Sequence, residues 1–90
     1  MLQEILKEVN DERKRQDAKW GEQNHGLCKW YAILGEEFGE VGKAICERMY
    51  AIGPNPEYRA ELIHVAAVAV AMIESYDRNE GADIVEEEKA

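Results

Sequence analysis

Apolar side chains in the first part of the chain recur at intervals of three and four residues. Four of them stand at positions i, i+3, i+4 and i+7: Leu2, Ile5, Leu6 and Val9. This spacing places them on one side of an α-helix, so it predicts a short amphipathic helix over about residues 2–18. The second half of that segment, residues 10–17, is almost wholly polar. It is either a solvated extension of the helix or a face that meets a polar ligand.

A second helical pattern follows a loop that begins at Trp20 and is rich in glycine. Its apolar positions are spaced by three, four and seven residues: Leu27, Trp30, Leu34, Val41 and Ile45. They predict a longer helix over about residues 27–51. Three glycines lie inside it: Gly35, Gly39 and Gly42. A glycine in a helix interior costs up to about 1 kcal/mol relative to alanine, so we expect the backbone of a neighbour or a ligand to approach closely there.

A turn over residues 53–56 separates the second pattern from a third. Asn55 suits the N-cap of a helix and Pro56 its first residue, so we predict a third helix over about residues 56–79. Residues 62–73 are apolar on every face apart from His64. A helix that is apolar all round is buried all round. Because three helices of one short chain can hardly surround it, we predict that a second subunit covers it.

These patterns together predict an all-α fold, an antiparallel bundle of three to four helices that homo-oligomerisation completes as a homodimer or homotetramer. A chain of 90 residues buries only roughly 60% of its unfolded surface, so a partner subunit would also add stability. We expect residues 1–90 to form a single domain. About residues 80–90 are either a frayed tail or a short docking helix.

Charge and composition narrow the function. The chain carries 11 Lys and Arg against 19 Asp and Glu, a net charge of −8, which argues against binding a phosphate backbone. Its longest apolar run, residues 65–73, is far shorter than the roughly 20 residues that span a bilayer, and the N-terminus lacks a signal pattern. We therefore predict a cytoplasmic protein with no nucleic-acid or membrane partner and with two free thiols.

Acidic residues concentrate at two places. Glu36, Glu37 and Glu40 share a side of the second helix, and Glu61 and His64 share a side of the third, because residues three or four apart lie on one face. Crowded carboxylates repel one another unless a cation lies between them. Mg²⁺ and Mn²⁺ prefer such ligands, so two facing helices would form a metal site. The alternative is a solvated acidic face beside a hydrogen-bonded core histidine.

At these residues the chain resembles the MazG-like all-α nucleoside triphosphate pyrophosphohydrolases, whose hallmark is E-E-x-x-E on one helix and E-x-x-D on the next. Here Glu36-Glu37-x-x-Glu40 is followed, beyond residues 41–60, by Glu61-x-x-His64. The similarity covers nearly the whole chain, including Glu12-Arg13-x-x-Gln16-Asp17-x-Lys19-Trp20-Gly21 and residues 33–41 and 58–74.

The resemblance implies an enzyme that uses Mg²⁺, or Mn²⁺, to hydrolyse a nucleoside or deoxynucleoside triphosphate to the monophosphate and pyrophosphate. Glu37, Glu40 and Glu61 match the family's metal ligands, and Glu36 matches the acid that assists in metal binding or activates water. His64 stands where the family usually has Asp. Because imidazole suits Mg²⁺ less well, this difference shifts the preference toward Mn²⁺, weakens one metal site or signals lost catalysis.

Cationic and aromatic side chains are expected to hold the substrate. Lys43 is the first candidate for the phosphates because it lies three residues after Glu40. Weaker candidates are three further cations: Lys14, Arg48 and Arg59. Trp20, in a loop, is equally suited to stacking on a base and to packing. Trp30 lies on the apolar stripe, where core packing is favoured.

Two other functional classes fit parts of the sequence. Glu-x-x-His is also the ligand pair of carboxylate-bridged di-iron bundles, and a homodimer would supply two copies. Glu36, Glu40 and the segment at Trp20 have no role in that interpretation. The other class is a non-enzymatic helical interaction module, in which the acidic helix is a soluble face and the apolar helix a dimer seam.

Overall fold

The computed structural model describes residues 1–50 and 55–81. Those residues form three helices, α1 (Leu2–Trp20), α2 (Leu27–Arg48) and α3 (Pro56–Arg78), and they contain no strand. The all-α class is therefore confirmed. Helix α1 includes Trp20, which the sequence placed in a loop, and α2 ends at Arg48, so residues 49–50 form a turn and do not continue the helix as predicted. Residues 80–81 of the predicted tail also form a turn, whereas residue 51 and residues 82–90 fall outside the described residues.

The helix ends follow from local chemistry. Gly21 ends α1 with a φ of 74°, a left-handed conformation that favours glycine, and its N–H donates to the Asp17 carbonyl at 2.8 Å. The predicted cap of α3 is confirmed, because the Asn55 side-chain oxygen accepts from the Tyr58 N–H at 3.0 Å and Pro56 follows it. The Asn55 amide also donates to the Ala44 carbonyl of α2 at 3.2 Å.

Helix α3 is the centre of the fold. It packs against both α1 and α2, whereas the backbones of α1 and α2 do not contact each other. Small residues on α3, Ala67 and Ala71, are almost fully buried and let its neighbours approach closely. The remaining buried apolar side chains come from all three helices: Val9, Trp30, Val41, Ala44 and Val68.

A charged side chain joins α1 to α3. Arg13 is only 8% exposed. Its guanidinium donates to the Glu74 carboxylate of α3 at 2.6 and 2.8 Å and to Asp17 at 2.9 Å. Because a buried charge is tolerated when it is paired and hydrogen-bonded, Arg13, Asp17 and Glu74 form a closed unit, here called the ion-pair cluster.

Helix α3 is only partly covered within one chain, because Leu62, Val70 and Ile73 are 42%, 36% and 59% exposed. This exposure agrees with the expectation that three helices do not surround it, and its cover by a second subunit stays a prediction. The expected close approach to the helix glycines is not made within the chain: a Cβ atom built at Gly35, Gly39 or Gly42 meets nothing within 4 Å. Among the described residues, no helix is long and apolar enough to cross a membrane.

Candidate metal and substrate site

Two helices bring together three of the predicted metal ligands. Glu37 of α2 and Glu61 and His64 of α3 each offer one ligand atom, and these atoms lie within 4.8 Å of one another. His64 Nδ1 is 2.9 Å from a Glu61 oxygen and 3.8 Å from a Glu37 oxygen. All three side chains are partly buried. The packing of α2 on α3 therefore produces the facing pair of acidic motifs that the spacing predicts.

Helix α1 contributes a further carboxylate that the sequence interpretation missed. A Glu12 oxygen lies 3.9 Å from His64 Nε2, so the imidazole lies between Glu61 on one side and Glu12 on the other. The Glu12 side chain is only 10% exposed. Glu12, Glu37, Glu61 and His64 are here called the acidic cluster. Glu12 stands in the polar segment 10–17 and in one of the segments that carry the family resemblance, but neither observation assigned it a role at the site.

Arg15 is the cation nearest to this cluster. Its guanidinium donates to both Glu12 oxygens, at 2.8 and 2.5 Å, and the Gln16 amide donates to Glu12 at 3.3 Å. The hydrogen bonds from Arg15 lower the pKa of Glu12 despite its burial. Glu12 therefore stays ionised next to His64. Arg15 was not among the predicted substrate ligands, although its neighbour Lys14 was.

The surroundings of Glu37 oppose its ionisation. Burial raises the pKa of this carboxyl, and the negative charges of Glu61, Glu40 and Glu12 act in the same direction, whereas His64 opposes them. A cation bound among these groups would remove that penalty. The ionised form of Glu37 is therefore less favourable here than in water.

The other two predicted acids are placed differently. Glu40 is exposed and does not join the three ligand atoms, although its charge acts on Glu37. Glu36 is also exposed, and it lines the cavity next to the cluster. The structure thus assembles Glu37, Glu61 and His64 directly, and it leaves Glu36 and Glu40 beside them.

A cavity of about 650 Å³ opens beside the acidic cluster. Helices α1 and α2 form its walls, α3 forms its floor, and the loop 22–25 closes one end. Arg78 and Asn79 hold that loop to the end of α3, through hydrogen bonds of 2.9 to 3.1 Å to Gln23 and Asn24. These hydrogen bonds therefore hold the loop at this end of the cavity in place.

Two tryptophans line this cavity in different ways. Trp20 is 56% exposed, with the Lys19 ammonium 4.7 Å from its ring centroid. Trp30 is only 4% exposed and packs edge-on against His25 at a centroid distance of 4.9 Å. Trp30 is thus a core residue with one edge toward the cavity, in keeping with its predicted packing role. Trp20 keeps much of its ring surface available to a ligand.

The predicted phosphate ligands are not gathered at this cavity. Lys43 and Lys14 are exposed and line neither of the two cavities that adjoin His64, and the same holds for Arg48 in the last turn of α2. Arg59 lines a second cavity of about 450 Å³ on the other side of Glu12. There its guanidinium donates to both Glu8 oxygens at 2.7 and 2.6 Å. Arg15 lines both cavities.

Comparison of the chain with protein-family models, with curated proteins and with solved structures finds no match. The acidic cluster and its cavity therefore carry the functional argument.

Proposed function

We propose that this protein is a metal-dependent nucleoside triphosphate pyrophosphohydrolase of the MazG-like kind, which cleaves a nucleoside or deoxynucleoside triphosphate to the monophosphate and pyrophosphate. The observation that carries the proposal is the position of the acidic cluster at the edge of an aromatic-lined cavity. A cation site for a triphosphate and a slot for a base are then adjacent, as this reaction requires.

The donor set fits a small divalent cation. Neighbouring ligands of an octahedral ion with bonds of about 2.1 Å are about 3 Å apart, and opposite ligands are about 4.2 Å apart. The three ligand atoms lie within 4.8 Å of one another, and the separations of 2.9 and 3.8 Å around His64 Nδ1 lie close to that range. Glu37, Glu61 and His64 would hold the ion, and the charge of Glu40 would add to its attraction. The imidazole nitrogen favours Mn²⁺ over Mg²⁺ relative to an all-carboxylate site.

The remaining residues have separate tasks. When bound, the metal supplies charge neutralisation for the triphosphate and for the leaving pyrophosphate. Glu36 would accept a proton from the attacking water, because its carboxylate lines the cavity beside Glu37. In the chain without metal, His64 Nδ1 makes a hydrogen bond of 2.9 Å with Glu61. With Nδ1 used as a ligand instead, the ring proton would be on Nε2, which lies 3.9 Å from Glu12.

The cavity fits a nucleotide in size and lining. Its volume of about 650 Å³ lies within the roughly 300–1,000 Å³ of small-molecule sites. The exposed ring of Trp20 provides a surface on which a base can stack. Arg15 is the cation best placed to hold a phosphate, since a guanidinium binds phosphate oxygens in the same two-pronged way as it now binds Glu12.

We also propose that the protein works as a homo-oligomer, either a dimer or a tetramer. The exposed apolar side chains of α3, Leu62, Val70 and Ile73, support this proposal because a second subunit would cover them.

The proposal is tested by incubating the purified chain with a panel of ribonucleoside and deoxyribonucleoside triphosphates, with Mg²⁺ or Mn²⁺, and measuring pyrophosphate and monophosphate release. We expect cleavage of at least one nucleotide, with Mn²⁺ the better cofactor. If no nucleotide is cleaved at high enzyme concentration, the proposal fails. The Glu61-x-x-His64 pair together with Glu37 also matches di-iron ligation, so iron-dependent absorbance in an inactive protein would favour an iron-binding function.

A further inference from the structure

Helix α2 carries a second apolar surface, which faces away from its buried side chains. Six positions spaced by three and four residues form it: Cys28, Tyr31, Gly35, Phe38, Gly42 and Ile45. All six are exposed and none is charged, in a chain of which 33% is charged. They lie on a different side of α2 from the buried Trp30 and Ala44. We call these six positions the outer face of α2.

We propose that the outer face of α2 packs against the same face of a second copy of this chain, with the two helices antiparallel. The proposal does not depend on the chemistry proposed above, because the outer face contains none of the acidic cluster. This interface is also distinct from the one proposed above, in which a second subunit covers the exposed apolar side chains of α3. The partner is a second copy because the outer face is complementary to itself in shape.

The shape complementarity comes from the alternation of large and small residues. Tyr31, Phe38 and Ile45 alternate with three small residues: Cys28, Gly35 and Gly42. In an antiparallel pair centred between Gly35 and Phe38, each large side chain meets a small residue of the partner. Phe38 then lies over the partner's Gly35, Tyr31 over the partner's Gly42 and Ile45 over the partner's Cys28.

A parallel pair would not fit in this way. Equivalent residues would then face each other, so Phe38 would meet the partner's Phe38 and Gly35 the partner's Gly35. The first layer would be overpacked, whereas the second would leave a void, and both are unfavourable in a close-packed interface. The order of large and small residues therefore selects the antiparallel arrangement.

The large side chains of the outer face have much of their surface free for such a dimer. Tyr31, Phe38 and Ile45 are 78%, 72% and 45% exposed. Since an aromatic side chain buries about 150–250 Å², Tyr31 and Phe38 would contribute roughly 300 Å². That is more than a third of the about 800 Å² that a stable interface buries on each partner.

The pairing also explains two of the three helix glycines, Gly35 and Gly42. Glycine weakens a helix, and within the chain nothing occupies the space where a Cβ atom of Gly35 or Gly42 would lie. In the proposed dimer, the aromatic rings of the partner occupy that space. The close backbone approach that the glycines predict would then occur between copies.

Sedimentation of the full chain tests the interface. We expect a dimer or a higher even-numbered oligomer, and a dissociation constant for the α2 pair that rises at least about thirtyfold in Phe38→Glu. Gly35→Leu should have a similar effect and keep its helicity, because the single chain has room for the added side chain. The matched control is Ile73→Glu, an exposed apolar residue of α3, which should leave at least the dimer intact.

Other outcomes would overturn the proposal. A wild-type chain that is monomeric at micromolar concentration would do so. A monomeric Ile73→Glu variant would also do so if Phe38→Glu and Gly35→Leu kept the wild-type oligomer.

Disulfide mapping tests the antiparallel register. Both cysteines are exposed thiols, and a disulfide requires Cα atoms within about 7 Å. The antiparallel pair places Cys28 beside the partner's Cys46, so mild oxidation should yield a covalent dimer whose mapped bond is Cys28 to Cys46. Bonds that join Cys28 to Cys28 and Cys46 to Cys46 would instead demonstrate parallel helices and contradict the proposal. A failure to cross-link in a dimer would also contradict it.

Discussion

Two clusters of charged side chains link α1 to α3, and their charge balance differs. In the ion-pair cluster, the buried Arg13 contacts two carboxylates, Asp17 and Glu74, and its hydrogen-bonding groups are satisfied within the chain. In the acidic cluster, three carboxylates surround one imidazole, and the nearest guanidinium, Arg15, contacts only Glu12. The carboxylates of the first cluster are paired with a cation of the chain, whereas the second cluster has more carboxylates than cations. This difference in charge balance indicates that the ion-pair cluster stabilises the fold, whereas the acidic cluster is the candidate site.

The largest expected effect is the loss of activity in Glu37→Gln. The amide is nearly the same size as the carboxyl but is a much weaker metal ligand, so pyrophosphate release should fall by more than about a hundredfold. Helicity measured by circular dichroism should not change. A variant that keeps wild-type activity would contradict the role of Glu37 as a metal ligand.

The corresponding change in the ion-pair cluster is Glu74→Gln, which should reduce stability. Removing this partner leaves the buried Arg13 with weaker compensation, so the free energy of unfolding should fall by about 2 kcal/mol. Urea denaturation measures this loss. Mn²⁺ affinity measured by calorimetry on the folded variant should stay at the wild-type value. A large loss of Mn²⁺ affinity with unchanged stability would reverse the assignment of the two clusters.

A smaller effect is expected for Arg15→Gln. If this guanidinium holds a phosphate, the KM for the nucleotide should rise about tenfold while kcat changes less, because a charge-assisted contact to the substrate is lost. Lys14→Gln is the matched control, since Lys14 is a neighbouring exposed cation that lines neither cavity next to His64. Equal effects in the two variants would indicate general electrostatic attraction.

The smallest effect concerns pH in the absence of metal. Because the pKa of Glu37 is raised in the folded chain, the fold binds this proton more tightly than the unfolded chain does. The contribution of Glu37 to stability is thus present at low pH and is lost as the pH rises from about 4.5 through the raised pKa. Relative to Glu37→Gln, the metal-free wild type should lose stability over that window.

Denaturation at several pH values measures this difference, and added Mn²⁺ should abolish it. A wild type that gains stability relative to Glu37→Gln as the pH rises, without metal, would contradict the raised pKa.

The spacing of residues within each helix predicted the helices and the meeting of Glu37, Glu61 and His64. The three helices, the Asn55 cap and the meeting of Glu37 with Glu61 and His64 follow from spacing within α2 and α3. Glu12 and Arg15 could not be predicted in the same way. Their place depends on the face that α1 turns toward α3, and the polar half of α1 has too few apolar residues to fix that face.

The sequence also gave no guide to which cation lies near the site. Lys43 shares a helix with the acidic motif, but α2 turns it away from the cavity lined by Glu36 and Glu37. The sequence also did not show which group lies next to the glycines of α2. A glycine pattern indicates that another group can approach the helix closely, but it does not identify that group.

The absence of backbone contact between α1 and α2 has a consequence for ligand size. The two walls of the cavity each pack on α3 and, apart from the loop that joins them, do not contact each other through their backbones. The width of the cavity is therefore set by two separate packing interfaces. We expect a side-chain change at the α1–α3 interface to move one wall and leave Glu37, Glu61 and His64 in place. The size of ligand that the cavity accepts would then change without any change in these three residues.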